Sequence, residues 1–246
     1  MRNTQRLDRV LSNFGYGTRR EIKLLVKAGA VKIGGVVAKD SGMHVEPSSE
    51  AIEINGELLN YREFVYIMMN KPAGVISATF DNKLKTAVDL LPDKYKCFDV
   101  FPAGRLDIDT EGLLLLTNNG GLAHDMLSPR KHVPKRYYAL VDGAVDAEDA
   151  RRFREGVVLD DGYRTMPAEL DIISSGLRSE IELVLHEGKF HQVKRMFEAV
   201  GKKVIYLKRI AMGGLALDES LAPGGCRELS PEEAKLLTEG MEKQDE

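Results

Sequence analysis

Four consecutive leucines, at residues 113–116, follow directly on a segment that carries three carboxylates in five positions, Asp107, Asp109 and Glu111. An apolar run of that kind must be buried, which sets the three acids at the edge of a core. A carboxylate in such a place is paired with a cation or has a chemical task, because an isolated buried charge is costly. The spacing alone also fits an Asx-type turn before a strand, with Arg105 pairing one of the acids, and both readings stand at this point.

Around this run the chain alternates short apolar segments with a few amphipathic ones. Strands are expected near residues 64–68, 113–117, 137–141, 168–173, 180–185 and 204–207, and helices near 121–127, 146–155, 191–200 and 231–237. The pattern predicts an α+β fold on a mixed, largely antiparallel sheet with flanking helices. The first 60 residues read differently. Leu7, Val10, Leu11 and Phe14 form one helical face closed by Gly15, and Thr18 with Glu21 has the spacing of a capping box for a second helix that stops at Gly29. Strands follow near 31–33, 36–38 and 51–54, with Asn55-Gly56 as a tight turn. At 246 residues the chain has room for two domains. They are placed at 1–59, a small α/β unit, and 60–239, with a linker near 55–63 and a frayed acidic tail at 240–246.

The net charge of -3 argues against a nucleic-acid partner only as an average. Residues 1–40 hold nine basic residues against three acids, residues 218–246 hold three against nine, and residues 189–209 hold seven against one. Two basic segments therefore stand behind an acidic C-terminal stretch. In the second helix Arg19, Arg20, Lys23 and Lys27 are free to point outward and meet phosphates. A solvated face is the competing reading of either segment taken alone. No apolar run approaches the roughly 20 residues that span a bilayer, and no secretory signal follows the first methionine, so a cytoplasmic protein is expected. Two cysteines and five scattered histidines supply neither a disulfide framework nor a metal site.

The stretch from Arg6-Leu7-Asp8 to Gly29-Ala30-Val31-Lys32-Ile33-Gly34-Gly35 resembles the S-four-type RNA-binding domain, whose helical pair carries basic RNA-facing residues. Beyond it, Gly104-Arg105-Leu106-Asp107 with Thr110, Gly112 and the leucines resembles the central motif of the pseudouridine synthases related to RsuA, RluB and RluA. Asn70-Lys71-Pro72-Ala73-Gly74-Val75 is similar to that family's first motif, and Lys135-Arg136-Tyr137 to the segment holding its active-site tyrosine. The run from His186 to Phe197, with His191-Gln192-Val193-Lys194-Arg195-Met196 at its centre, resembles the third. One departure is Asn118-Asn119-Gly120, where the family often has an acid before the glycine; a turn is expected there.

The resemblance implies an isomerase that breaks the uridine C1′–N1 bond, turns the uracil and rejoins it through C5, with no metal or cofactor. Asp107 is then the catalytic carboxylate, acting as nucleophile on the sugar or base, or as base at C2′. Lys194 keeps it ionised, with Arg195 as the fallback. Tyr137 packs on the uracil and is a candidate to move the C5 proton; filling the core beside Tyr138 is its other reading. Asp109 and Glu111 are expected to be dispensable. RNA contacts fall to Arg6, Arg19, Arg20, Lys23, Lys27, Lys71, Lys135 and Arg195, and to Arg105, which holds the flipped phosphate or enters the gap left in the stack. Arg130-Lys131 with Lys135-Arg136, and Lys202-Lys203 with Lys208-Arg209, are expected to flank the cleft. The wording of the third motif points to uridine 516 of small-subunit 16S rRNA, in free rRNA or an assembly intermediate, and to a monomer. A 23S rRNA target is the alternative, and a non-catalytic ribosome- or RNA-binding protein is the alternative from another class. A glycoside hydrolase using the three acids would need carboxylates about 5 to 9.5 Å apart, which five residues arrange poorly.

Overall fold

The computed structural model describes residues 4–96 and 98–239. The predicted tail at 240–246 lies outside the described residues. The chain divides into two compact units, Met1–Val65 with Leu91–Val100, and Tyr66–Leu90 with Phe101–Glu246.

The first unit begins with β1 (Gln5–Arg6), α1 (Leu7–Asn13) and α2 (Arg19–Lys27). The predicted helical face buries Leu7, Val10 and Leu11 against Ile22 and Val26 of α2. Thr18 and Glu21 close the capping box: the Thr18 amide donates to Glu21 Oε2 at 2.7 Å and the Glu21 amide to Thr18 Oγ1 at 3.4 Å. β2 (Val31–Ile33), β3 (Val36–Val37), β5 (Ile52–Ile54) and β6 (Glu57–Leu58) form a sheet in the order β3-β2-β5-β6, while β4 (His44–Val45) pairs with β1.

Two boundaries differ from the sequence reading. Asn55 and Gly56 take φ of 53° and 87°, the pair of left-handed residues that a two-residue hairpin of type I′ requires, so the expected linker contains a strand. The Leu59 amide then donates to the Ile52 carbonyl at 2.7 Å and Tyr61 packs on the small core, which carries this unit on to Val65. The segment Leu91–Val100, with α3 (Asp93–Lys96), also belongs here, and Phe98 meets Phe14 edge-on with ring centroids 5.2 Å apart. That contact joins residues far apart in the chain and leaves no local sequence signal.

The second unit is built on a nine-stranded sheet. Its main path runs β11 (Glu169–Ser174), β12 (Arg178–Leu185), β10 (Lys135–Asp142), β13 (Lys203–Met212), β9 (Glu111–Thr117), β7 (Tyr66–Lys71) and β15 (Cys226–Glu228). β8 (Phe101–Pro102) pairs with β9 and β14 (Leu215–Ala216) with β13. Only β9 and β13 run parallel in these pairings, so the sheet is mixed and largely antiparallel, and the fold is α+β. The helices are α4 (Gly120–Leu127), α5 (Ala147–Glu155), α6 (Gln192–Ala199) and α7 (Pro231–Glu239). Because strand side chains alternate, Leu113 and Leu115 join one cluster with Met126 and Leu237, while Leu114 and Leu116 are buried on the opposite face. β9 is therefore covered on both sides, which is why its leucines run without a polar interruption. The expected turn at Asn118-Asn119-Gly120 also starts α4, Asn119 Oδ1 accepting from the Leu122 amide at 3.0 Å.

No helix among the described residues is long and apolar enough to cross a membrane.

Candidate active site

The acidic segment before β9 is held from beneath. Ser77 Oγ donates to the Leu106 carbonyl and accepts from the Leu106 amide, both at 3.0 Å, and the Gly74 amide donates to the Ile108 carbonyl at 2.7 Å. Lys71 Nζ donates to the Pro72 and Thr110 carbonyls, each at 2.9 Å. Lys71 is completely buried, which corrects its expected place at an RNA surface: the side chain ties the acidic loop to β7. Burial pulls its pKa down to about 8, against the opposing charges of Asp109, Glu111 and Asp107. Gly112 lets the loop enter the sheet. Its φ is 100°, and a Cβ there would lie 2.2 Å from the Arg209 carbonyl oxygen, so β9 can approach β13 this closely only with glycine.

Asp107 emerges from this support partly exposed. Lys194 Nζ lies 3.3 Å from Asp107 Oδ2 and 2.6 Å from Asp109 Oδ1, and His191 Nε2 lies 3.7 Å from Asp107 Oδ1. Burial draws the Lys194 pKa down, but its bond to Asp109 and the charges of both aspartates more than offset this and raise it. The same lysine holds the Asp109 carboxyl below its usual range. Arg195, one residue on, projects to another side of α6, where Nε donates to Asp160 Oδ1 at 2.7 Å and Nη2 pairs with Asp161 at 2.7 Å. Of the two candidate partners for Asp107, Lys194 is the one beside it, and Arg195 is already held by two carboxylates. Glu111 accepts from Tyr206 Oη at 2.7 Å, and burial together with this bond raises the tyrosine's pKa.

The loop from Arg105 to Ile108 borders a cleft of about 710 Å³ within the second unit. Arg105, Asp107 and His191 line it, together with Tyr137. Tyr137 is 9% exposed and Tyr138 points to the opposite sheet face, where its hydroxyl donates to Glu180 at 2.9 Å and its ring meets Tyr206 edge-on. Arg105 is exposed, with no salt bridge or hydrogen bond among the described residues.

The basic stretches expected to flank the cleft are divided by strand alternation. Lys135 and Arg209 line it, 8% and 2% exposed, while Arg136 and Lys208 line a separate hollow of about 440 Å³. Lys202 pairs with Asp149 at 2.6 Å, and Arg130 is exposed in the turn after α4. In the first unit Arg6 grips the buried Asp8 through Nη2 at 2.7 Å, and Arg19, Arg20, Lys23 and Lys27 are exposed along α2 without salt bridges among the described residues.

Two features had not been singled out from the sequence, and a third, Arg209, had been read only as one of a basic run flanking the cleft. Glu187, 7% exposed, accepts from Gln192 Nε2 at 2.7 Å, from Tyr163 Oη at 2.7 Å and from the Met166 amide at 2.9 Å, which fixes the entry to α6. Phe190, 71% exposed, stacks on His191 with centroids 3.8 Å apart at the cleft. Arg209 occupies an inward position of β13 beside the buried Leu207, and a charged residue in the inward phase of an apolar strand was its one available signal.

Residues 65–199 match the model of the RNA pseudouridylate synthase family, and residues 5–50 match that of the S4 domain. The chain is 52% identical over 235 residues to the uncharacterized RNA pseudouridine synthase YtzG of Bacillus subtilis (strain 168), covering 95% of this chain and 98% of that one. It is 40% identical to the ribosomal large subunit pseudouridine synthase B of the same organism, covering 95% of each. It is also 40% identical to the ribosomal small subunit pseudouridine synthase A of Vibrio cholerae serotype O1 (strain ATCC 39315 / El Tor Inaba N16961), covering 94% of this chain and 99% of that one. A crystal structure of a pseudouridylate synthase superimposes with a TM-score of 0.66 at 33% identity, over 94% of this chain and 98% of that one. With its supported acidic loop, its tyrosine-lined cleft and an RNA-binding S4 domain ahead of them, the chain belongs to the RNA pseudouridylate synthase family and is a pseudouridine synthase.

Proposed function

We propose that this enzyme converts a uridine of ribosomal RNA to pseudouridine, with Asp107 as its catalytic carboxylate, Lys194 as the cation paired with it and Tyr137 as the ring on which the uracil rests. The observation that carries this reading is the Lys194–Asp107 pair at 3.3 Å, whose aspartate lines a cleft that Tyr137 also lines. The ammonium beside it orients the carboxylate, and both nucleophilic attack and proton removal at C2′ use the carboxylate form. The Tyr137 phenol makes no hydrogen bond to another described residue and is free to move the proton from C5. No redox change or added atom enters the reaction, so protein side chains suffice for it.

A uridine in folded RNA reaches this cleft only by leaving its stack. Exposed Arg105 is suited to hold the flipped nucleotide's phosphate or to fill the vacated space. The exposed cations of α2 suit a sequence-independent grip on the backbone.

The first candidate target is uridine 516 of 16S rRNA. Relatives named for the small and the large ribosomal subunit are equally similar to this chain, at 40% identity each, so a 23S uridine is the second. Pseudouridines are to be mapped in both rRNAs from cells lacking the protein, then from cells complemented with the native chain or with Asp107→Asn. One site should vanish and return only with the native chain. Its subunit decides between the targets, and its return with Asp107→Asn would sink the assignment of the carboxylate.

A further inference from the structure

Two cations stand in the floor of the cleft without a counter-charge. Arg209 is 2% exposed, its Nε donates to the Leu113 carbonyl at 2.8 Å, and its Nη2 is buried with no hydrogen-bond partner among the described residues. Lys135 is 8% exposed and its Nζ donates to the Val133 carbonyl at 2.9 Å. Neither forms a salt bridge among the described residues, and Arg209 lies close enough to lower the Lys135 pKa further than burial alone. An unpaired buried charge costs several kcal/mol, and two like charges side by side add repulsion. Backbone carbonyls are their hydrogen-bond partners and no carboxylate among the described residues pairs with either, which leaves both cations available to an anion from outside.

We propose that Arg209 and Lys135 bind the detached uracil and stabilise the negative charge it carries between bond breaking and rejoining. This rests on the assignment of the cleft to a flipped uridine. When the C1′–N1 bond breaks, its electron pair stays on the base and spreads over N1 and the two carbonyl oxygens. C1′ is meanwhile taken up by Asp107, or by a C1′–C2′ double bond if Asp107 removes the C2′ proton. The turned base then returns an electron pair from C5 to C1′, Asp107 leaves or gives back its proton, C5 loses a proton and N1 gains one. Throughout that interval the base is a free anion that must turn without escaping.

The sheet register puts the cations where the base would be. Tyr137 pairs with Arg209 across β10 and β13, which sets their Cβ atoms about 4.5 to 5.5 Å apart on one face, and Lys135 is the next inward residue of β10. A ring lying on Tyr137 thus meets the guanidinium at its edge. Because Arg209 is nine-tenths buried and more, a phosphate on the RNA backbone would have to sink as deep as the base. Cations at the surface, Arg105 among them, are the ones the backbone can reach.

The test uses the full chain and an rRNA fragment containing the target uridine. Arg209→Met and Lys135→Met keep side-chain length and remove the charge, and Arg209→Lys keeps the charge but loses the fork. Folding is checked by thermal denaturation, RNA affinity by titration, and chemistry by single-turnover pseudouridine formation. Removing one preorganised donor at a developing anion costs on the order of 100-fold to 1,000-fold in rate. Arg209→Met is therefore expected to be about 100-fold slower or worse, with RNA affinity changed less than about threefold, and Arg209→Lys to recover part of the rate. Lys135→Met should also be slowed at unchanged affinity, and it decides the question if Arg209→Met does not fold. A single-turnover rate within about threefold of native in either folded Met variant overturns the inference. Neutral methylphosphonates flanking the target uridine separate the two sources of anion. Native and variant enzymes should respond to them alike, whereas a response confined to the native enzyme would assign the cations to phosphate and overturn the inference. Failure of the underlying reading is distinct: the native enzyme would then form no pseudouridine in rRNA.

Discussion

Lys194 Nζ lies 3.3 Å from Asp107 Oδ2 across 87 positions of sequence, and the same ammonium is closer still to Asp109, at 2.6 Å. One cation thus serves two carboxylates, of which Asp109 is the more exposed. Asp107→Asn is expected to lower the single-turnover rate by on the order of 10,000-fold or more, the scale on which removing a member of a catalytic group acts. Asp109→Asn should cost only a few-fold, because Lys194 keeps Asp107 as its partner. A loss in Asp109→Asn as deep as that in Asp107→Asn would show that the two aspartates act as a unit.

Stability should depend on pH through the buried lysines. Burial first, and Arg209 second, bring the Lys135 pKa from 10.5 to about 8 in the folded protein. Between those values the unfolded chain binds the proton and the folded chain does not, so stability rises as pH increases from about 8 toward 10.5. A shift of that size corresponds to about 3 kcal/mol. Lys71, also brought down to about 8, works in the same direction. Urea denaturation at pH 7 should show Lys135→Met more stable than native. Equal midpoints would mean that Lys135 is not held charged at a cost.

Gly112→Ala should destabilise the second unit severely. The added Cβ would sit 2.2 Å from a backbone oxygen and 2.9 Å from a backbone nitrogen of Arg209, at a φ of 100°. Neither strand can yield without breaking the parallel pair of β9 and β13. A loss of about 4 kcal/mol or more is expected in a denaturant titration. Gly120→Ala, where a Cβ would meet nothing within 4 Å, serves as the control.

The basic face of α2 is testable by salt. Replacing Arg19, Arg20, Lys23 and Lys27 by Gln should weaken RNA binding and flatten its dependence on salt between 50 and 200 mM. Each lost phosphate contact removes about 0.7 to 0.9 from the logarithmic slope. An unchanged slope would leave α2 as a solvated helix face.

Arg105→Ala distinguishes base flipping from chemistry. On a folded rRNA fragment its rate should fall at least about tenfold, and on a short single-stranded RNA carrying the same uridine much less, since no stack has to be opened. Undiminished activity on the folded fragment removes Arg105 from this role.

Much of the architecture is legible in the chain because it depends on local periodicity. The leucines after Glu111, the capping box of Thr18 with Glu21 and the turn at Asn55-Gly56 each state a backbone preference that neighbouring residues enforce. Resemblance of four short motifs then pointed to the family and to Asp107, although the spacing of the three acids alone did not separate catalysis from a turn. What tertiary structure decided is where charges end up. Lys71 and Lys135 read as surface cations, and both are buried, because the acidic loop and the cleft floor close over positions whose neighbours in space lie in other strands. Lys194 and Arg195 are adjacent in the chain, yet the roughly 100° turn of each helical residue sends one to Asp107 and the other to Asp160 and Asp161. Arg209 looked like part of a basic run with Lys208, and strand alternation divides the pair between opposite sheet faces. Sequence carries the element and its phase; only the packed sheet determines what each phase faces.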